Sequence, residues 1–231
     1  MERCTKQSLQ LDSRATALLL VDLQEEQRSD PRFPVADFGD ILGNARELLE
    51  AARRAHVTVL HAAYHRDLTA SPPLPFEPVD AHGVPSFSSA DSPGVAICSE
   101  VAPRVGEPVI LKNEASAFTE PALEAELRRR GTSWLLVAGV WTEACVAATV
   151  RDASRLGFHV LLVKDACGSG TRAMHRTGVL EIANRLYGGG VCDTDRALRL
   201  IAGEAADVWR NDGPVPLLYT LETVDRLYRS L

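Results

Sequence analysis

Apolar positions along this chain fall into two kinds of block that alternate from one end to the other. Short unbroken runs occupy 16–21, 57–62, 108–111, 134–140 and 159–163. Runs of that length with little polar interruption predict strands buried on both faces. Between them apolar residues recur at helical spacing. Phe38, Ile41, Leu42, Ala45, Leu48, Leu49 and Ala52 mark an amphipathic helix of about four turns. Thr119 and Pro121 open a second helix that runs through Leu123 and Leu127 to Gly131. A third resumes at Ala144 with Val146, Thr149, Val150 and Ala153, and Gly157 closes it. Further helical patterns over 172–187 and 195–202 flank a short sixth strand near Val191.

Strands and helices alternating in this way predict an α/β fold: a doubly wound, mainly parallel six-stranded sheet with helices on both faces. No linker divides the chain, so a single domain over 1–231 is expected, with its core at about 14–202 and an extension over 203–231. Residues 1–14 are polar and read as a loose lead-in, and 25–34, broken by Pro31 and Pro34, as a loop. The stretch 69–94 carries six prolines (72, 73, 75, 78, 85 and 93). Irregular stretches this long in a compact domain usually serve function, so a lid or an oligomer contact is expected there.

Composition narrows the classes of activity. At 231 residues with 45% hydrophobic residues, the chain can build a sizeable core. The balance of 25 basic against 31 acidic residues gives a net charge of −6, with no basic block to meet a nucleic acid. No apolar stretch is long enough to span a bilayer, and the first ten residues lack the apolar core of a signal peptide. A cytoplasmic protein that binds neither nucleic acid nor membrane is expected. The five cysteines (4, 98, 145, 167 and 192) are odd in number and unpaired in spacing, which suits reduced thiols.

The chemistry gathers at strand ends. Asp22, Lys112 and Cys145 each stand at the carboxyl end of a predicted strand, where doubly wound folds bind their ligands. Cys145 follows the elbow formed by Trp141, Thr142 and Glu143 and opens the next helix. A helix start offers unpaired N–H groups and the positive end of a dipole, both of which favour thiolate over thiol.

The segment 138–146 (AGVWTEACV) resembles the signature of the isochorismatase-like cysteine hydrolases, which include amidohydrolases acting on small amides and ureas. Two further landmarks match in order: 17–24 (ALLLVDLQ), whose strand ends in Asp22, and 109–118 (VILKNEASAF), whose strand ends in Lys112. The resemblance implies a catalytic set of Asp22, Lys112 and Cys145, a cis Val140–Trp141 peptide, and an oxyanion hole made by the backbone N–H groups of Trp141 and Cys145. It implies hydrolysis of a small amide, ureido or lactam substrate, in a homo-oligomer of dimer or tetramer size and without a cofactor. The alternatives are a vinyl-ether hydrolase, against which Cys145 speaks because that chemistry does not use the thiol, and a non-catalytic protein on the same fold.

Other residues complete the expected site. Gln24, His65, Phe118 and Trp141 are candidates for substrate contact from their places beside the three landmarks. His61 and His65 straddle a strand end, and no aspartate precedes His65 in the Asp-x-His pattern that serves a metal in nicotinamidases, so no metal is expected. Gly168, Ser169 and Gly170 lack the Lys-Ser/Thr of a phosphate loop and read as a strand-to-helix turn. The tail bears Trp209, Leu217, Leu218, Tyr219, Leu221, Leu227 and Tyr228. These residues are expected between subunits, because a completed sheet leaves them little to cover.

Overall fold

An unbroken apolar strand is stable only with a helical layer on each face, and the first such run has both. In a computed structural model, which describes residues 6–85 and 88–231, strand β2 (Thr16–Val21) is buried along its whole length. It follows a short edge strand, β1 (Lys6–Leu9). The chain continues through a helical turn, α1 (Glu26–Ser29), then helix α2 (Phe38–Arg54) and strand β3 (Thr58–Tyr64). After the proline-rich stretch come β4 (Val109–Lys112), α3 (Pro121–Arg129) and β5 (Trp134–Val140). A π-helical turn over Thr142–Val146 runs directly into α4 (Ala147–Arg155). The remainder is β6 (His159–Gly168), α5 (Arg172–Ala183), β7 (Gly190–Cys192), α6 (Thr194–Ile201), β8 (Ala206–Trp209) and α7 (Val224–Ser230).

The sheet order is β1-β8-β7-β6-β5-β2-β3-β4. Strand direction is parallel from β7 to β4, and β8 and β1 add an antiparallel edge. From the central pair, the chain winds outward to β3 and β4 on one side and to β6 and β7 on the other, so the topological switch lies between β2 and β5. Side chains alternate across the sheet. Leu18 and Leu20 join α2 and α6 in one layer, while Ala17, Leu19 and Val21 join α3, α4, α5 and α7 in the other.

The sheet has eight strands, not the six expected from the apolar runs. Both additions lie in segments read as lead-in and tail: Lys6 pairs with Trp209 and Leu9 with Ala206. Strand β1 exposes three of its four side chains, so it leaves no apolar signal. Strand β6 runs five residues past its expected end at 163, through Lys164 and Asp165. Those charges are tolerated because each is bonded: Lys164 Nζ donates to the carbonyls of Tyr228 (3.0 Å) and Leu231 (3.1 Å), and Asp165 Oδ1 accepts from Thr194 N–H (2.8 Å) and its hydroxyl (2.9 Å). Helix α5 stops at Ala183 instead of 187, where the Asn184 side chain turns to bond both backbone groups of Leu217.

The tail also departs from its expected place. Trp209, Leu217, Val224, Leu227 and Leu231 are buried within their own chain, and α7 lies against α5. Of the tail's apolar residues, Leu218 and Leu221 stand exposed, at 81% and 90%. The expectation failed because the layer on that face was incomplete without α7. Cys4 and positions 86–87 of the proline-rich stretch lie outside the described residues. Among the described residues no helix is long and apolar enough to cross a membrane.

Because Leu227 belongs to the core of its own subunit, Leu227→Ala should lower the unfolding free energy by about 2–4 kcal/mol. Urea denaturation at two protein concentrations checks this. The loss should be independent of concentration, whereas a residue buried only between subunits would give a concentration-dependent one.

Candidate active site

At the switch point the central strands approach too closely for a side chain. Gly139 in β5 has φ +136°, and a Cβ there would sit 2.0 Å from the carbonyl oxygen of Val21, its partner in β2. Two residues on, the Val140–Trp141 peptide is cis, as the resemblance implies. The chain then enters the π-helical turn, where Val146 N–H donates to Trp141 O at 3.2 Å. Thr142 holds this elbow from behind: its hydroxyl donates to Gly168 O at 3.0 Å and lies 2.8 Å from His175 Nδ1. Ser169 donates to Glu143 at 2.6 Å. Cys145 thus sits on a braced turn instead of the first turn of a regular helix.

Asp22 leaves β2 in the left-handed region (φ 52°), its N–H bonded to Ala62 O at 2.9 Å. Lys112 ends β4, in register with Tyr64 of β3. Its Nζ lies 2.8 Å from Asp22 Oδ2, donates to Glu114 O at 3.1 Å and stands 4.2 Å above the Tyr64 ring. Lys112 is fully buried and Asp22 nearly so, at 0% and 4%. A cavity of about 320 Å³ opens beside the pair, its walls including Asp22, Cys145, Tyr64, Trp141, Phe33 and Glu26.

Electrostatics correct the expectation of a thiolate. Burial pushes the Cys145 thiol well above its usual range, and the Asp22 carboxylate adds to this against the opposing pull of Lys112. Burial likewise raises Asp22, with Lys112 the chief force holding it down. Both groups are thereby pushed towards their neutral forms, and the one buried cation, Lys112, opposes this at each. Asp22 Oδ1 is buried without a hydrogen-bond partner, and that leaves it free to accept a proton. Cys98, Cys167 and Cys192 are fully buried, and only Cys145 among the described cysteines is partly open.

Of the four expected substrate contacts, Trp141 lines the cavity, with its indole N–H donating to Gln27 Oε1 at 2.8 Å. The other three lie outside its lining. Gln24 is fully buried and its amide is spent on backbone, donating to Tyr64 O (2.9 Å) and Val95 O (2.8 Å) and accepting from Tyr64 N–H (2.9 Å). Phe118 is half-buried and packs against the core, its ring centre 5.7 Å from that of Phe158. His65 anchors its N–H to Lys112 O at 2.8 Å, one residue beyond the cavity wall. Its neighbour Tyr64 is the wall residue; it stands two residues past the expected strand end at 62, and its register with Lys112 follows only from the pairing of β3 with β4. Glu26 and Ser88 were hidden in segments read as loops. Among the described residues, no three of His, Cys, Asp and Glu cluster closely enough to hold a metal.

A doubly wound sheet with its cavity at the switch point is the architecture of many α/β enzymes. Comparison with known proteins gives the family. The Isochorismatase domain model matches residues 16–196, so the chain belongs to the isochorismatase family and is one of its hydrolases. It is 33% identical over 114 residues to the maleamate amidohydrolase of Pseudomonas putida (48% of this chain, 53% of that one). It is 30% identical over 167 residues to the N-carbamoylsarcosine amidase of an Arthrobacter species (70% and 61%). A cysteine hydrolase from Pseudomonas syringae pv. phaseolicola superposes with a TM-score of 0.77 at 22% identity, covering 87% of this chain and 99% of its own. At that identity the likeness concerns the fold.

Removing one member of the buried pair should strand the other. Asp22→Asn should destabilise the protein by about 3–5 kcal/mol, and adding Lys112→Met should restore most of that loss. Calorimetry of the single and double variants checks it.

Proposed function

We propose that the protein is a cysteine-dependent hydrolase cleaving the C–N bond of a small amide, ureido or lactam substrate through a thioester. The observation that carries this reading is the buried Asp22–Lys112 pair at 2.8 Å, whose aspartate lines the cavity that also admits Cys145. The amidohydrolase and amidase names of two relatives support the same bond type.

In this reading the Cys145 thiol passes its proton to Asp22 as Sγ attacks the substrate carbonyl carbon. The new C–S bond places negative charge on the carbonyl oxygen, which the N–H groups of Trp141 and Cys145 stabilise. Asp22 returns the proton to the departing nitrogen, the C–N bond breaks, and amine or ammonia leaves. Asp22 next takes a proton from water, whose oxygen attacks the thioester. The acid product departs and the proton returns to sulfur. Lys112 keeps Asp22 anionic between these transfers and does not itself touch substrate. In this reading attack and proton transfer proceed together, because burial raises the thiol and disfavours a free thiolate.

Cys145→Ala should abolish ammonia release from an amide substrate, lowering kcat by about 10³-fold or more while leaving the melting temperature near that of the parent. A variant that retained near-normal turnover would overturn the mechanism. The assembly is proposed to be a homo-oligomer, dimeric or tetrameric, and the exposed Leu218 and Leu221 support it. Light scattering should give a mass of two or four chains, falling when both leucines become serine.

A further inference from the structure

The cavity that holds Cys145 has a one-sided charge. Besides Asp22 its walls include a second carboxylate, Glu26, which is 5% exposed. Glu26 is held in place by Ser88, whose N–H donates to Oε2 at 3.0 Å and whose hydroxyl donates to Oε1 at 2.5 Å. Each carboxylate oxygen has room for a further donor, since an ionised carboxylate offers about four acceptor sites. Among the described residues lining the cavity there is no lysine, arginine or histidine. Lys112 lies behind Asp22 and is already committed to it and to Glu114.

Neighbouring guanidinium groups are also committed, and the one nearest to Glu26 in sequence, Arg28, pairs with Glu25 (3.1 Å) and Glu100 (2.8 Å). Arg66 is buried against Glu77, and Arg32 is paired with Asp30 at 2.6 Å in an adjoining cavity of about 580 Å³. That cavity shares Glu26 and Ser88 with the site and includes a further acid, Asp80. With Asp22 balanced by Lys112, the charge left over at Cys145 is that of Glu26. The rest of the wall is Gln27, small residues and three aromatic rings, Phe33, Tyr64 and Trp141; Lys112 already stands over the Tyr64 ring at 4.2 Å and Arg32 over the Phe33 ring at 5.1 Å. A buried carboxylate facing the same cavity as the Trp141 indole forms a setting for a cation or an N–H-rich group. The same setting disfavours a substrate anion, which would lose its water to face an acid without a free base.

We propose that Glu26 is a specificity-determining residue: its carboxylate receives a cationic or N–H-rich group of an amide substrate and turns away substrates that carry a carboxylate. This deepens the hydrolase reading above and rests on it for the word substrate. The preference for positive charge at Cys145 is a property of the cavity and is measurable without turnover. Burial and the nearby Asp22 raise the Glu26 carboxyl, so the preference should strengthen as pH rises and Glu26 ionises.

The test uses three methanethiosulfonate reagents of matched reactivity: methyl (neutral), trimethylammonioethyl (cationic) and sulfonatoethyl (anionic). In each, Cys145 Sγ displaces methanesulfinate and forms a mixed disulfide, and peptide mass mapping assigns the rate to Cys145. After normalisation to 2-mercaptoethanol, the cationic reagent should react at least tenfold faster than the anionic one. Glu26→Gln should shrink that ratio severalfold. Equal or inverted rates in the parent protein would overturn the proposal even if the variant failed to fold. So would a ratio that a folded Glu26→Gln protein leaves unchanged.

Turnover of benzamide, 4-(aminomethyl)benzamide and 4-carboxybenzamide supplies the second arm. There kcat/KM should fall in the order cationic, neutral, anionic, and Glu26→Gln should raise KM for the cationic amide above all. Charge discrimination at Cys145 with no turnover of any amide would count against the hydrolase reading and leave the cavity's preference standing. Turnover that favoured the carboxylate would do the reverse.

Discussion

The site depends on a lysine and an aspartate buried together where neither could remain alone. Lys112 at the end of β4 and Asp22 at the end of β2 are separated by β3, and their 2.8 Å contact ties three strand ends into one floor. Each ion alone in that interior would carry a desolvation penalty of several kcal/mol, so the pair must be complete for the fold to hold it. The remaining contacts of the ammonium, Glu114 O and the Tyr64 ring, complete its shell. A lysine satisfied in this way is committed to the carboxylate it holds.

Two opposing effects meet at Cys145. Its place on the turn that leads into α4 favours an anion by at most roughly 0.3–1 kcal/mol, up to about 2 in favourable geometry. Burial and the adjacent carboxylate act the other way and prevail, since the thiol moves strongly upward. A one-unit displacement already corresponds to about 1.4 kcal/mol, so a helix dipole alone does not reverse a large one. The consequence is a thiol pushed towards its neutral form on the wall of a cavity that Asp22 also lines.

The segments around the cavity are fastened by different material. Gln24, just past β2, clasps Tyr64 and Val95 with three hydrogen bonds to backbone. In this way it fastens the segment after the proline-rich stretch to the catalytic floor. Glu26 does the same for Ser88. The long irregular stretch is thereby a wall of the site, fixed by polar side chains that look, in sequence, like solvated loop residues.

The sequence by itself determined the central sheet, because its strands are apolar without interruption and have no stable place except between two helical layers. It also determined the strand-end positions of Asp22, Lys112 and Cys145, because a strand's end is visible where an apolar run stops. Tertiary structure decided what carried no such mark. Strand β1 exposes most of its side chains, and Lys164 and Asp165 interrupt β6 yet are accommodated by partners 29 to 67 residues away. Gln24 and Phe118 lie beside the landmarks in sequence, but one was taken up by backbone and the other by the core. Glu26 reached the wall because Ser88, 62 residues on, holds it there. Periodicity reports how a residue faces its own element; which distant group meets it is settled only when the layers pack.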